Sequence, residues 1–127
     1  MRRALILIIG LTVLTFGLGI WTDLRQRDTA DRYIGMLEEV RADVLAMRMN
    51  EALRKQAYVY ALWQQDSAWL NCLISHHHTR AVNSAMLHLG TALEMEWQQE
   101  ALIALDEAYG ALVEVRDGEF AKVRNIL

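Results

Sequence analysis

Hydrophobic and polar positions divide the chain into two unequal parts. Residues 4–21 are uncharged for 18 consecutive positions, and nothing later in the sequence approaches that length of apolar chain. An 18-residue helix is about 27 Å long, close to the roughly 30 Å of a bilayer's hydrocarbon core. The pattern therefore predicts a transmembrane anchor over residues 4–21, after a basic cytoplasmic start at residues 1–3.

A cleaved signal peptide is the alternative, because a basic start, an apolar stretch and the small residues Gly17 and Gly19 are all present. The run is longer than a usual signal-peptide core and contains no A-x-A cleavage motif, which favours an uncleaved anchor. Trp21 then lies at the membrane interface. Arg2 and Arg3 favour an N-terminus inside and a C-terminal domain outside, since basic residues stay on the cytoplasmic side.

Residues 22–127 are predicted to form one helical domain. The chain has no proline, and nothing beyond the anchor alternates like a strand. Residues 22–29 contain no glycine or proline, so the anchor helix is expected to continue into the domain, with Asn50 as its expected break. Spacings of three and four residues mark the inward seam of this helix. The seam positions are Ala30, Tyr33, Leu37, Val40, Val44 and Met47.

The later helices follow the same kind of pattern. A second helix is predicted from about residue 51 to 64; either Asp66 or Ser67 then caps a third helix, or one helix runs straight through Asp66. The third weakens near Glu96 and the fourth covers about residues 98–123. Predicted inward positions are Leu53, Ala57, Tyr60 and Ala61, then Trp69, Leu73, Ile74, Val82, Ala85, Leu89 and Leu93, then Leu102, Leu105, Tyr109, Leu112 and Val115.

Short connections make neighbouring helices antiparallel. The predicted fold class is all-α, with an N-terminal transmembrane helix continuing into a small antiparallel helical bundle of three to four helices.

Trp69, the pair Leu73 and Ile74, His76 and the final residues 125–127 (Asn-Ile-Leu), together with the N-terminal anchor, carry a family resemblance. The chain resembles the small bacterial single-pass membrane proteins of domain-of-unknown-function family four-three-six-three. The resemblance implies a membrane helix followed by a helical domain, and it implies no activity. His78 and Arg80 stand where that family tends to place acids.

The charge of the chain argues against nucleic-acid binding, and it leaves open the role of an acidic run near the C-terminal end. Residues 22–127 hold 11 basic and 16 acidic side chains, a formal charge of −5 that argues against nucleic-acid binding. Eight of the acids lie in residues 94–119 beside one arginine, Arg116. Such a run is a solvated helix face or, alternatively, a docking surface for a basic partner. Cys72 is the only cysteine, so no internal disulfide forms.

The histidines are the most chemically suggestive residues. His76, His77 and His78 are consecutive, so on a helix their side chains diverge by about 100° and do not converge on one metal ion. His88 is ten residues from His78, about 15 Å along a helix axis and too far for the same metal ion. One reading is a partly buried His76, on a stripe with Trp69 and Arg80, beside a solvated His77. A second is a pH-responsive patch, since neighbouring imidazoles titrate near neutrality.

No catalytic constellation is found in the sequence, which predicts no enzyme, no cofactor and no metal. Cys72 and His76 form an i, i+4 pair, but nothing nearby in sequence orients the imidazole, so an ordinary buried cysteine is expected. The tryptophans Trp63, Trp69 and Trp97 are expected in the core and at helix ends, and the methionines first as gap fillers. The possible functional patch comprises His76, His77, His78, Trp69 and Cys72.

These observations predict a membrane-anchored helical interaction or scaffold module of the bacterial envelope. Its expected partners are the lipid bilayer and another membrane or envelope protein, or a second copy of the chain. The alternative is an extracytoplasmic sensor that responds to pH or metal through the patch at His76, His77 and His78. A third possibility, an enzyme using Cys72 and His76, has the least support.

Overall fold

A computed structural model describes residues 1–70 and 76–126, with side chains given for residues 1–70 and 77–117. The described residues form four helices and no strand: α1 (Arg2–Leu45), α2 (Met49–Leu70), α3 (His76–Glu94) and α4 (Gln98–Ile126). The predicted all-α fold, with an apolar N-terminal helix leading into a helical bundle, is confirmed.

The N-terminal helix continues from the apolar run into the bundle without a break. α1 has 44 residues and is about 66 Å long at 1.5 Å per residue. Its apolar window is 0% buried within the chain, and among the described helices it alone is long and apolar enough to cross a membrane. Arg2 and Arg3 are exposed at its start, and Trp21 is exposed where the run ends. The apolar half is therefore not a core helix of this fold.

The second half of α1 and the three other helices pack as an up-and-down bundle. α1 contacts α2 and α4, and α3 contacts the same two helices. The turns at residues 46–48 and 95–97 lie at the end of the bundle far from the apolar half of α1; we call it the distal tip. The ends of α2 and α4 and the start of α3 lie at the other end, where α1 enters; we call it the membrane end.

The predicted seam of α1 forms its buried side, with one exception. Ala30, Tyr33, Leu37, Val40 and Val44 are fully buried, whereas Met47 is 58% exposed. Met47 follows the last residue of α1 and so no longer lies on its helical face. The predicted inward positions of α3 and α4 within the described residues are buried or partly buried. The fully buried large side chains opposite α1 are Trp63, Leu70, Val82, Met86, Leu89, Leu93, Leu105 and Leu112.

Both turns at the distal tip close in the same way. In the first, the amide of Arg48 donates to the carbonyl of Asp43, and the amide of Met47 donates to that of Val44. The second turn has the same two hydrogen bonds: the amide of Trp97 donates to the carbonyl of Ala92, and the amide of Glu96 donates to the carbonyl of Leu93. This is the hydrogen-bond pattern of a Schellman motif. Met47 and Glu96 accordingly have φ of 60° and 57°. The predicted break at Asn50 is wrong by about three residues, and the one near Glu96 is confirmed.

The predicted end of α2 at residue 64 is wrong, and the alternative, a helix that runs straight through Asp66, is confirmed. The helix continues to Leu70, so neither Asp66 nor Ser67 caps a third helix.

The predicted inward face of α2 is correct only in part. Leu53 and Tyr60 are partly buried against the core, whereas Ala57 and Ala61, also predicted to face inward, are exposed. The buried stripe lies one position back and is partly polar, which hides it from a hydrophobicity pattern. It consists of Ala52, Gln56, Val59, Trp63, Ser67 and Leu70.

Gln56 joins α2 to α3 at a close contact in the core. Its side-chain amide donates to the backbone carbonyl of Met86 over 2.9 Å and lies beside Gly90. A Cβ atom added at Gly90 would be 3.1 Å from the Gln56 amide nitrogen, tighter than ordinary packing. Because the hydrogen bond holds that nitrogen in place, space and not backbone conformation limits the size of the side chain at residue 90.

We expect Gly90→Ala to destabilise the bundle. An alanine normally gains about 0.5–1 kcal/mol over glycine inside a helix, but here the new methyl group must displace the Gln56 amide. The measurement is the denaturant midpoint of the full chain in detergent micelles, followed by far-UV circular dichroism.

Gly110→Ala is the matched control, because its Cβ would meet nothing within 4 Å. This exchange in the interior of α4 should raise stability by about 0.5–1 kcal/mol. If both glycine variants gained stability equally, the contact between Gly90 and Gln56 would not constrain the core.

Candidate functional site

The residues of the predicted patch are not brought together as one site in the described part of the chain. Trp69 lies at the end of α2, whereas His77 and His78 lie in the first turn of α3. Cys72 and the side chain of His76 lie outside the described residues, and so does their proposed i, i+4 pair. The exposed Arg80 does not share a buried stripe with Trp69.

The two described histidines of the triplet occupy different environments. His77 is exposed, as predicted, and His78 is 7% exposed. Their ring centroids are 5.8 Å apart. Nδ1 of His78 lies 3.6 Å from a carboxylate oxygen of Glu114 on α4, beyond hydrogen-bond distance, and is buried without a hydrogen-bond partner in the described structure. His78 is therefore a packed residue between α3 and α4.

Trp69 instead joins a cluster where α1 leaves the apolar run. The guanidinium carbon of Arg25 lies 5.4 Å from the ring centroid of Trp21 and 5.5 Å from that of Trp69. Trp21 and Arg25 are one helical turn apart on α1, and Trp69 reaches them from the end of α2. The Arg25 cation thus links two aromatic rings on different helices, a favourable cation–π arrangement.

These three residues line a cavity of about 440 Å³ at the membrane end. We call it the membrane-end cavity. Its upper wall carries a hydrogen-bond network in which Asp66 accepts from Arg32 over 2.7 Å and from the hydroxyl of Tyr33 over 2.5 Å. The remaining lining residues are Leu24, Asp28 and Thr29.

Sequence reasoning missed Arg25 and Asp28 as site residues. The available signal was their position just after the interfacial Trp21, on the same face of α1 as each other. What the sequence does not show is that the end of α2 packs beside them, which depends on how far α2 extends past Asp66.

The acidic run, predicted as a solvated face or a docking surface, is largely exposed to solvent in its described part, and it also takes part in ion pairs between helices. On α4, Asp106 pairs with Arg41 of α1, and Arg116 of α4 pairs with Asp31 of α1. These contacts, both at 3.4 Å, join α4 to the helix that carries the apolar run. The described acids of the run thus form a solvated face, and one of them, Asp106, also pairs with another helix of the bundle.

His88 links α3 to α4 through two carboxylates. Its Nδ1 lies 3.1 Å from Glu107 and its Nε2 lies 3.2 Å from Glu100. The hydrogen bond to Glu107 chiefly raises the pKa of His88 above its ordinary 6.5; Glu100 adds to this, and partial burial opposes it. Protonated His88 donates from both ring nitrogens, so it clamps two carboxylates one above the other on α4.

We expect bundle stability to fall as pH rises past neutrality. Because folding raises the pKa of His88, its contribution is fully present below its ordinary pKa of 6.5 and is lost as pH rises through the higher folded value. The side chain is 37% exposed, so solvent screening limits the effect to about 1 kcal/mol or less. Denaturant midpoints measured across this pH range should drop.

His88→Gln should flatten that pH dependence, because glutamine does not titrate. Glu94→Gln is the control: this exposed residue on the same helix forms none of the ion pairs found in the described structure. A wild-type midpoint independent of pH between about 5.5 and 8.5, either side of the histidine range, would contradict the assignment.

The distal tip carries a different surface, rich in exposed apolar side chains. Leu45 and Met47 of the first turn, and Met95 and Trp97 of the second, are 54–58% exposed. The side-chain amide of Gln98 donates to the carbonyl of Val44 over 3.1 Å, which joins the two turns. Trp97, predicted to pack in the core or at a helix end, directly precedes α4 but is exposed, and the predicted gap filling by Met47 and Met95 is wrong.

The other predicted packing residues lie in the bundle as expected. Trp63 is fully buried, and Met49 and Met86 are buried. Met36 is partly buried against the core. Among the residues that the structure describes, no three potential ligands of the histidine, cysteine, aspartate or glutamate type converge to hold a metal ion.

No protein family matches the chain, and neither the curated proteins nor the solved structures contain a match.

Proposed function

We propose that the protein is a single-pass membrane protein whose bundle stands outside the cytoplasm as an interaction module. One observation carries the proposal: residues 4–21 form the exposed, uncharged and largely apolar half of an unbroken helix whose other half is a wall of the bundle. Such a surface is stable in water only if something apolar covers it, and its length fits a bilayer.

The unbroken helix sets the height of the distal tip. From Trp21 to Leu45 are 24 residues, so the tip stands about 36 Å above the interface if α1 is upright. A partner of the tip must reach that height. We propose another envelope protein as this partner, because four of the large exposed apolar residues outside the anchor gather there.

Membrane insertion is tested by alkaline carbonate extraction of membranes from cells that express the full chain. The wild type should stay in the membrane pellet, and Val13→Arg, at the middle of the apolar run, should shift it towards the soluble fraction. Arg54→Gln, at an exposed position on α2, is the control. Recovery of the wild type in the soluble fraction, or cleavage after residue 19, would overturn the anchor.

The interaction role is tested by placing a photo-crosslinking amino acid at Trp97 or Met47 in intact cells. Both positions should give an adduct of one shared mass, while Tyr58, exposed midway along α2, should not. An adduct of twice the chain mass would identify a second copy as the partner. Equal adducts at all three positions would argue against a specific tip.

A second function, sensing of pH, has one observation in its favour. It is the clamp of His88 between Glu100 and Glu107, whose strength depends on protonation of the imidazole. In this proposal the group that responds to pH is His88 and not the triplet at residues 76–78. It requires that crosslinking at Trp97 change with pH in the wild type and not in His88→Gln.

Membership of the family that the sequence resembles also stays a proposal. Of the residues that carry the resemblance, Trp69 lies in the membrane-end cavity. Leu73 and Ile74 lie outside the described residues, as do the side chains of His76 and of residues 125–127.

A further inference from the structure

We propose that the membrane-end cavity binds the headgroup of a zwitterionic phospholipid, with the phosphate at Arg25 and the ammonium group at Asp28. The inference rests on the proposed membrane anchoring, which places the cavity at the bilayer surface. The proposed class of ligand is a phosphate ester that carries a primary ammonium group.

The cavity begins at the depth of the lipid headgroups. Trp21 ends the apolar run, and Arg25 lies four residues further, about 6 Å along the helix axis. The polar layer of a bilayer is about 5–7 Å thick on each side. Arg25 therefore lies at the level of the lipid phosphates, and the upper wall at Arg32 and Asp66 lies above them.

Arg25 retains its donors for a ligand. Six other arginines between residues 22 and 117 pair with carboxylates in the described structure, whereas Arg25 contacts only the two indole rings. Ring contacts hold a guanidinium without using its N–H groups, of which arginine has five. A phosphate ester can accept two of them side by side. Trp21 and Trp69 thus position the cation without neutralising it.

The second unpaired charge of the cavity is the carboxylate of Asp28. Arg32 and Asp66 neutralise each other across 2.7 Å, whereas Asp28 is absent from the ion pairs of the described residues. Among the described residues that line the cavity, Arg25 and Asp28 are therefore the cation and the anion that form no ion pair, and they lie three residues apart on the same face of α1. A purely anionic headgroup would be repelled by Asp28. A headgroup with both charges satisfies both side chains, and a primary ammonium can also donate hydrogen bonds to the carboxylate.

The test measures which lipid stays bound to the full chain. The protein is reconstituted in vesicles that contain equal parts of phosphatidylethanolamine, phosphatidylcholine and phosphatidylglycerol, then extracted with a maltoside detergent. Lipid that remains on each chain is identified by native mass spectrometry. Carbonate resistance of the same vesicles reports insertion separately, so failure of the cavity and failure of the anchor are distinguishable.

We expect phosphatidylethanolamine to be retained in preference to both other lipids. Arg25→Gln should weaken its retention about tenfold, the usual effect of losing a hydrogen bond to a charged group. Arg27→Gln is the matched control, since Arg27 pairs with Asp23 and does not line the cavity. Asp28→Asn should reverse the preference towards phosphatidylglycerol, because the repelling carboxylate is gone. Neither change in the cavity should alter carbonate resistance.

Three outcomes would overturn the proposal. Equal retention in Arg25→Gln and Arg27→Gln would remove Arg25 from the site. An unchanged lipid preference in Asp28→Asn would show that Asp28 does not select a zwitterionic headgroup. If free phosphoethanolamine displaced the bound lipid at equal concentration, the site would recognise a soluble phosphate ester instead of a membrane lipid.

Discussion

Trp63→Ala is expected to destabilise the bundle by about 3–5 kcal/mol, the range for removal of a fully buried aromatic side chain. Trp63 is 0% exposed and lies edge-to-face with Tyr33 of α1, with ring centroids 5.2 Å apart and planes at 89°. Its indole N–H donates to the side-chain carbonyl of Asn83 on α3 over 2.7 Å. The residue thus touches both helices that flank α2, and its loss leaves a cavity and an unpaired amide.

Denaturant unfolding of the full chain in micelles measures this effect. The apolar half of α1 is expected to stay helical in detergent, so the change in far-UV circular dichroism should report the bundle. Trp97→Ala is the matched control, because its side chain is 54% exposed at the distal tip and should change stability by no more than about 0.5 kcal/mol. The loss of stability in Trp63→Phe should lie between the losses in Trp63→Ala and Trp97→Ala. Equal midpoints for Trp63→Ala and Trp97→Ala would contradict the packing of the core.

The fate of these two tryptophans shows what the sequence can and cannot predict. Both are tryptophans close to a helix boundary predicted from the sequence, yet Trp63 is fully buried in the bundle and Trp97 is exposed. Trp97 follows Glu96, which takes a left-handed conformation that ends the helical face. Hydrophobicity predicts burial only where the backbone keeps its periodicity.

Helix α1 was predictable because, from Ala30 to Val44, its buried residues other than Asp43 are apolar. The face of α2 was predictable only in part, since Gln56 is polar and buried, whereas Ala57 and Ala61 are apolar and exposed. The Gln56 amide has a carbonyl partner on α3, so the polar group is buried with its hydrogen bond satisfied. Such a partner on another helix leaves no mark in the local pattern.

In the candidate sites, too, features set by local sequence were predictable, whereas features that depend on contacts between helices were not. The long apolar helix that ends near Trp21 was evident from local sequence. Arg25 acquires its role from Trp69, 44 residues later, and His88 acquires its role from Glu100 and Glu107 on the next helix. The histidine triplet was a candidate site because its three residues are adjacent in sequence. On a helix, however, side chains meet when they are three or four residues apart or lie on different helices.

Asp66→Ala is expected to cost about 1–3 kcal/mol, because it leaves the hydroxyl of Tyr33 without an acceptor. Tyr33 is fully buried, and its hydroxyl donates to the same carboxylate oxygen that accepts from Arg32. Burial, with the neighbouring Asp66, raises the pKa of Tyr33 above its ordinary 10.0. The hydroxyl therefore stays protonated and remains a donor, and this contribution is lost only as pH rises beyond 10.

A double-mutant cycle separates the hydrogen bond from other losses. Tyr33→Phe removes the donor, so Asp66→Ala in that background should cost less than in the wild type, with a coupling of about 0.5–3 kcal/mol. Glu51→Ala on the same helix is the control: its pair with Arg54 is exposed, and it should couple to Tyr33→Phe by no more than about 0.5 kcal/mol. Additive effects of Tyr33→Phe and Asp66→Ala would show that α1 and α2 are not joined through this carboxylate. Because Asp66 also forms the upper wall of the membrane-end cavity, a positive coupling would mean that the contact which holds α2 against α1 also shapes the cavity.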